Sequence, residues 1–148
     1  NETYLYHLIN GKYNRSGSIF MDYRNASDYS DQNTVIYGHH MADGSMFADL
    51  VDYGSQSFFE SHRTGFLFTP LRTYTLTFFA GYVTDVWDDA WQMSFSSDAE
   101  FSQWLQDSIA RSAFDSGILP SVSQHIFTLS TCTYEYNNAR FVLAAIME

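Results

Sequence analysis

At 148 residues the chain is long enough for one domain that buries about two-thirds of its unfolded surface without disulfide help. Its 13 Phe, 11 Tyr and 3 Trp against 2 Pro suit a β-rich core and argue against a disordered chain. The net charge of -10 comes with no cluster among its 7 basic residues, which argues against a nucleic-acid partner.

No apolar run approaches the roughly 18 residues that a membrane span needs, and no signal peptide is present. An export signal or membrane anchor is therefore expected outside this chain. A single cysteine excludes an internal disulfide and a multi-cysteine metal site.

Residues 1–9 are apolar from the outset, with no capping residue or polar lead-in, and read as the middle of a domain. Turn signals at Asn10-Gly11-Lys12 and Arg15-Ser16-Gly17 precede a short strand, Ser18 to Tyr23, closed by the polar loop Arg24 to Asp28. Asn33 to His40 is a second strand, which delivers histidine at its end. After a turn at Ala42-Asp43-Gly44-Ser45, Met46, Phe47, Leu50 and Val51 have helical spacing, and Ser57 to His62 reads as another short helix. Gly65 to Pro70 is a strand ended by proline.

Thr73 to Val83 is the clearest strand, with Tyr74, Leu76, Phe78 and Ala80 expected on one face and Thr73, Thr75 and Thr77 on the other. The acidic, Trp-bearing segment Asp85 to Trp91 interrupts the pattern. Ser97 and Glu100 have capping-box spacing and open a helix to about Phe114, stopped by Gly117 and Pro120. Two strands, Phe127 to Cys132 and Phe141 to Ile146, end the chain. The sum is a mostly antiparallel β-domain with inserted helices.

A thiol attacks a carbonyl as thiolate, and an unperturbed cysteine near pKa 8.5 is mostly protonated at neutral pH. Cys132 therefore needs a basic or cationic neighbour, and His39 could take a proton and later return it to a leaving amine. Arg140 could hold a substrate carbonyl or a developing oxyanion. A hairpin across the loop Thr133 to Ala139 would set Arg140 beside Cys132, whereas His39 must be brought in by the fold. Taken alone, a cysteine at a strand end is more often a small buried apolar residue, and paired histidines are more often a turn feature. Asp22 and Asp43 could join the histidines on a metal, but nothing in the spacing requires it. His7, His62 and His125 read as structural or solvated.

Thr128-Leu129-Ser130-Thr131-Cys132 followed by Arg140 resembles the active-site signature of sortases. Tyr37-Gly38-His39 with Met41, Asp43, Gly44, Ser45, Met46 and Phe47 resembles the histidine segment of class B sortases. Gly17 to Asn25 and the helix from Ser97 are similar to neighbouring segments of that class, so the resemblance covers nearly the whole chain. It implies a mainly β, sortase-like closed β-barrel with inserted short helices and one longer helix before the cysteine strand. It implies one catalytic domain over residues 1–148, without the family's N-terminal helices and opening strands.

By resemblance, Cys132 is the nucleophile, His39 the acid/base with His40 as its rival, and Arg140 the oxyanion or substrate anchor. Tyr37, Ser130, Asn1 and Leu5 would bind substrate, and no metal or other cofactor is implied. The implied reaction cleaves a C-terminal sorting motif of the Asn-Pro-x-Thr type in a surface protein through a thioacyl-enzyme. The acyl group then passes to an amine of a cell-wall peptidoglycan precursor or a pilin. The implied location is the extracellular face of the cell membrane, with the full-length protein anchored there. Two alternatives stand beside it: a hydrolytic cysteine peptidase, and a non-catalytic peptide-binding β-domain.

Overall fold

Runs rich in Val, Ile, Phe, Tyr and Thr form the strands, as β-branched and aromatic side chains favour a pleated, half-buried surface. In the computed structural model, which describes residues 1–133 and 137–148, they are β1 (Phe20–Met21), β2 (Asn33–Tyr37), β3 (Thr64–Phe68), β4 (Thr73–Asp85), β5 (His125–Cys132) and β6 (Ala139–Met147). They join in one sheet of order β1-β2-β5-β6-β4-β3, curled into a half-barrel with β1 and β3 at its edges. Every pairing is antiparallel except β2 with β5, which run parallel. The mainly β class expected from the sequence is the class observed.

Helices α1 (Glu2–Tyr6), α2 (Gln56–Ser61) and α3 (Asp98–Arg111) and 3₁₀ segments at Ala48–Gly54 and Asp89–Trp91 lie before or between the strands. The predicted cap of α3 is present: Ser97 Oγ accepts from the Glu100 amide at 3.2 Å. Its reciprocal half is displaced by one residue, because the Glu100 carboxylate accepts from the Ser96 amide at 2.7 Å. The helix stops at Arg111, short of the expected Phe114. There the chain turns back to β4, with Ala113 N–H donating to the Gly81 carbonyl at 2.8 Å and the Phe114 ring stacking on Phe59 at 4.1 Å.

Side chains that alternate along β4, β5 and β6 fill two cores. One face carries Tyr74, Leu76 and Phe78 of β4 against Phe127, Phe141 and Leu143. The other packs Phe79, Ala144 and Ile146 under Phe101, Trp104 and Leu105 of α3. The strict alternation expected along β4 breaks between Phe78 and Ala80, where a bulge shifts the register and sends Ala80 to the α3 face. No helix among the described residues is long and apolar enough to cross a membrane.

Buried Asn33 locks the start of β2 to the segment after β4. Its Nδ2 donates to the Gln92 carbonyl at 2.8 Å, and its Oδ1 accepts from Thr128 Oγ1 at 2.7 Å. Asn33→Ala leaves a buried hydroxyl and a carbonyl unpaired, and should cost about 1–3 kcal/mol in urea unfolding. An unchanged midpoint would show that this lock is not needed.

Candidate active site

Cys132 and Arg140 are direct cross-strand partners of β5 and β6. The next pair carries a ladder bond, Thr133 N–H donating to the Ala139 carbonyl at 3.2 Å. Cys132 and Arg140 therefore form a non-hydrogen-bonded pair, the kind that brings side chains closest on one face. The expected hairpin neighbourhood is present; residues 134–136 of the predicted loop lie outside the described residues. Arg140 Nη1 donates to the Ala139 carbonyl at 2.9 Å.

The parallel register of β2 and β5 sets Tyr37 beside Ser130, so both strands run out at the same end. Beyond them Gly38 N–H donates to the Ser130 carbonyl at 3.1 Å, and Thr131 Oγ1 donates to the Gly38 carbonyl at 2.8 Å. The two histidines that follow part company. His40 Nδ1–H donates to the Cys132 carbonyl at 3.0 Å, which ties its ring to the backbone of the cysteine strand. His39 Nε2–H donates to the Leu5 carbonyl at 2.7 Å, which fixes the ring and engages that nitrogen. Among the described residues His39 makes no hydrogen bond to Cys132 Sγ.

Two glycines make this arrangement possible. A Cβ on Gly38 would stand 2.6 Å from the Phe47 ring, which packs under the histidine segment. A Cβ on Gly17, whose φ is +57°, would stand 2.3 Å from the Leu5 carbonyl that receives His39.

These elements enclose a cleft of about 310 Å³ that brings together all seven residues singled out in the sequence: Asn1, Leu5, Tyr37, His39, Ser130, Cys132 and Arg140. Tyr6 and Phe20 also line it; the Tyr6 ring lies 5.8 Å from His39, and the Phe20 ring 5.5 Å from Tyr37. Neither was singled out, because an aromatic on a short strand or in an apolar opening segment carries no signal of where it faces. Ser130 Oγ is buried without a hydrogen-bond partner among the described residues. A second cavity of about 460 Å³ adjoins the cleft across Tyr37 and Arg140, and is also lined by Arg24, Asp88, Asp89 and Trp91.

Arg111 of α3 holds the outer wall of this second cavity, with Nη1 on both Asp88 oxygens at 2.7 and 2.8 Å and Nη2 on Asp89 Oδ1 at 3.1 Å. Burial raises the Asp88 pKa, but its pairing with Asp89 and the hydrogen bonds from Arg111 prevail and hold it at about 2. Asp89 is shifted up by burial and by its Asp88 neighbour.

The histidines outside the cleft have local partners. His7 bonds to the Thr3 carbonyl, His62 to the Phe58 carbonyl and His125 to the Asp31 carbonyl, each at 2.9 Å. Asp43 is occupied in its own turn, accepting from Ser45. Asp22 is fully buried and accepts from Arg24, Tyr37 and Asn1, so its oxygens face donors and not the histidines.

Burial alone would raise the Asp22 pKa, yet hydrogen bonds from Arg24, Tyr37 and Asn1 hold it at about 2, below the ordinary 3.8. A carboxylate with a depressed folded-state pKa adds stability that is complete above the unfolded value and is lost as pH falls through the folded one. Asp22→Asn should therefore lower Tm at pH 7 and flatten its decline between about pH 4 and pH 2. Parallel acid curves for the two proteins would refute this. Gly38→Ala must displace the Phe47 ring and should cost about 1–3 kcal/mol, read as a fall in Tm of several degrees. An unchanged Tm would mean that the ring swings away freely.

No protein-family model matches the chain. It is 39% identical over 145 residues to sortase B of Listeria monocytogenes, which covers 97% of this chain and 59% of that relative. The chain spans about three-fifths of the length of the curated relatives it matches, 59% of one and 60% of another. Among solved structures, a Staphylococcus aureus sortase B–substrate complex matches with a TM-score of 0.93 at 35% identity, over 100% of this chain and 69% of that one. A sortase B complexed with triglycine matches with the same score and identity, over 100% of this chain and 70% of the other. With that identity and coverage on a shared fold, the chain belongs to the class B sortase family.

Proposed function

We propose that residues 1–148 form the catalytic domain of a cysteine transpeptidase that cleaves an Asn-Pro-x-Thr-type sorting signal of a surface protein. The acyl group then passes to an amine of a cell-wall peptidoglycan precursor or a pilin. The observation that carries this reading is the convergence of His39, Cys132 and Arg140 on one cleft from three separate strands or strand ends. The related complexes with a substrate and with triglycine support a peptide donor and an amine acceptor.

In the first step Cys132 Sγ, as thiolate, attacks the Thr carbonyl carbon. The carbonyl electrons move to oxygen, and Arg140, the cross-strand partner of Cys132, holds that oxyanion. Collapse breaks the peptide C–N bond, and the leaving amine takes its proton from His39, whose ring the Leu5 carbonyl holds. In the second step the acceptor amine attacks the thioester carbonyl and gives a proton to His39. The C–S bond breaks, and Cys132 returns as thiolate. Ser130 lines the cleft that takes the peptide. A surface-protein donor and a cell-wall acceptor support a location on the extracellular face of the cell membrane, with the full-length protein anchored there.

The experiment is cleavage of a quenched Asn-Pro-x-Thr peptide with and without triglycine. Cys132→Ala should abolish turnover, and His39→Ala and Arg140→Ala should each lower kcat/KM by at least about 100-fold. Triglycine should be joined to the Thr product. Cleavage without incorporation would make the chain a hydrolase, and full activity of Cys132→Ala would end the thiol mechanism.

A further inference from the structure

Asp22 touches none of the three residues assigned to the reaction, yet it is the most heavily hydrogen-bonded carboxylate near the cleft. Its side chain is fully buried. Oδ1 accepts from the Arg24 amide and Nε, and Oδ2 accepts from Arg24 Nη2 and Asn1 Nδ2, each at 3.0 Å, and from the Tyr37 hydroxyl at 2.9 Å. A buried charge is costly, and an apolar residue often serves stability as well or better. Arg24 offsets the charge but keeps half of its side chain exposed. The remaining donors belong to the cleft: Tyr37 and Asn1 both line it, and Tyr37 and Arg24 also line the neighbouring cavity.

We infer that Asp22 is a positioning residue for the peptide cleft, holding Tyr37 and Asn1 as a preorganised wall and fixing the direction of their hydrogen bonds. This assignment rests on the sorting-peptide reading above. The Tyr37 hydroxyl spends its only proton on Asp22, so its oxygen can offer the cleft acceptor capacity alone. Burial and the Asp22 charge both raise the phenol pKa and keep it neutral. Asn1 is held at both ends of its amide, with Nδ2 on Asp22 and Oδ1 accepting from the Tyr23 amide at 2.9 Å. The carboxylate cannot be copied by an amide. Either orientation of an Asn at position 22 turns its NH₂ toward at least two donors that now converge on one oxygen.

The test compares Cys132 alkylation by iodoacetamide with alkylation by a chloromethyl ketone built on an Asn-Pro-x-Thr peptide. The proteins are the wild type, D22N, Y37F and D22N/Y37F. The small reagent reports the thiol and the fold, and the ratio of the two rates reports the cleft wall. D22N should cut the ratio at least about tenfold while the iodoacetamide rate stays unchanged. The double variant should be no worse than D22N, because Asp22 acts through Tyr37.

The assignment is overturned if D22N keeps the wild-type ratio, if both rates fall together, or if the two losses multiply in the double variant. Should D22N fail to fold, Y37F and Asn1→Ala carry the test, since each removes one donor and leaves Asp22 paired with Arg24. An unchanged ratio in both overturns it. A wild type with no preference for the peptide reagent overturns the sorting-peptide reading itself, and this assignment with it.

Discussion

The parallel pairing of β2 with β5 is the constraint on which the site depends. Parallel strands end on the same side of a sheet, so a histidine just past Tyr37 and a cysteine at the end of β5 emerge together. The pairing is enforced at its polar end by a ladder of bonds: Gly38 to Ser130, Thr131 to Gly38 and His40 to Cys132. At its buried end Asn33 bonds Thr128 across the strands. A slip of one residue would turn Tyr37 away from the face that carries Ser130 and Cys132, and would break each of these bonds.

On either side of that pair the cleft walls are held by paired charges. Asp22 with Arg24 holds the wall that contains Tyr37 and Asn1, and Asp88 and Asp89 with Arg111 hold the outer wall of the adjoining cavity. Exposed ion pairs contribute little to stability, whereas a buried carboxylate that accepts several hydrogen bonds is strongly oriented. Orientation is what the proposed reaction needs, since a reacting carbonyl would have to meet the Cys132 sulfur in one geometry. The acidic balance of the composition says nothing of this, because these carboxylates are spent internally.

Much of the fold is legible in the residues because the signals are local. The cysteine strand, the long β4 and the capped helix α3 each follow from period or capping within a dozen residues. The misreadings have tertiary causes. Ala80 changes face because β4 takes a bulge against β6, and Phe114 leaves the helix because its ring is buried against Phe59. Neither event is encoded in the hydrophobic period. Asp22 read as an unforced metal-ligand candidate, since its five donors come from Asn1, Arg24 and Tyr37, two of them far away in the chain.

By itself the sequence determined a β-rich chain with one thiol, a histidine at the end of one strand, and an arginine across a hairpin from the thiol. Those are properties of residue type and short spacing. Only the tertiary structure decided which histidine faces the cleft and which one ties down the cysteine strand. It also decided that a carbonyl from α1 would hold His39, and that a buried carboxylate would bond Tyr37 and Asn1 of the cleft wall. The two histidine placements rest on contacts 34 positions long, His39 with Leu5, and 92 positions long, His40 with Cys132, and the carboxylate's on contacts 15 and 21 positions long, to Tyr37 and Asn1; no local period in the chain encodes any of them.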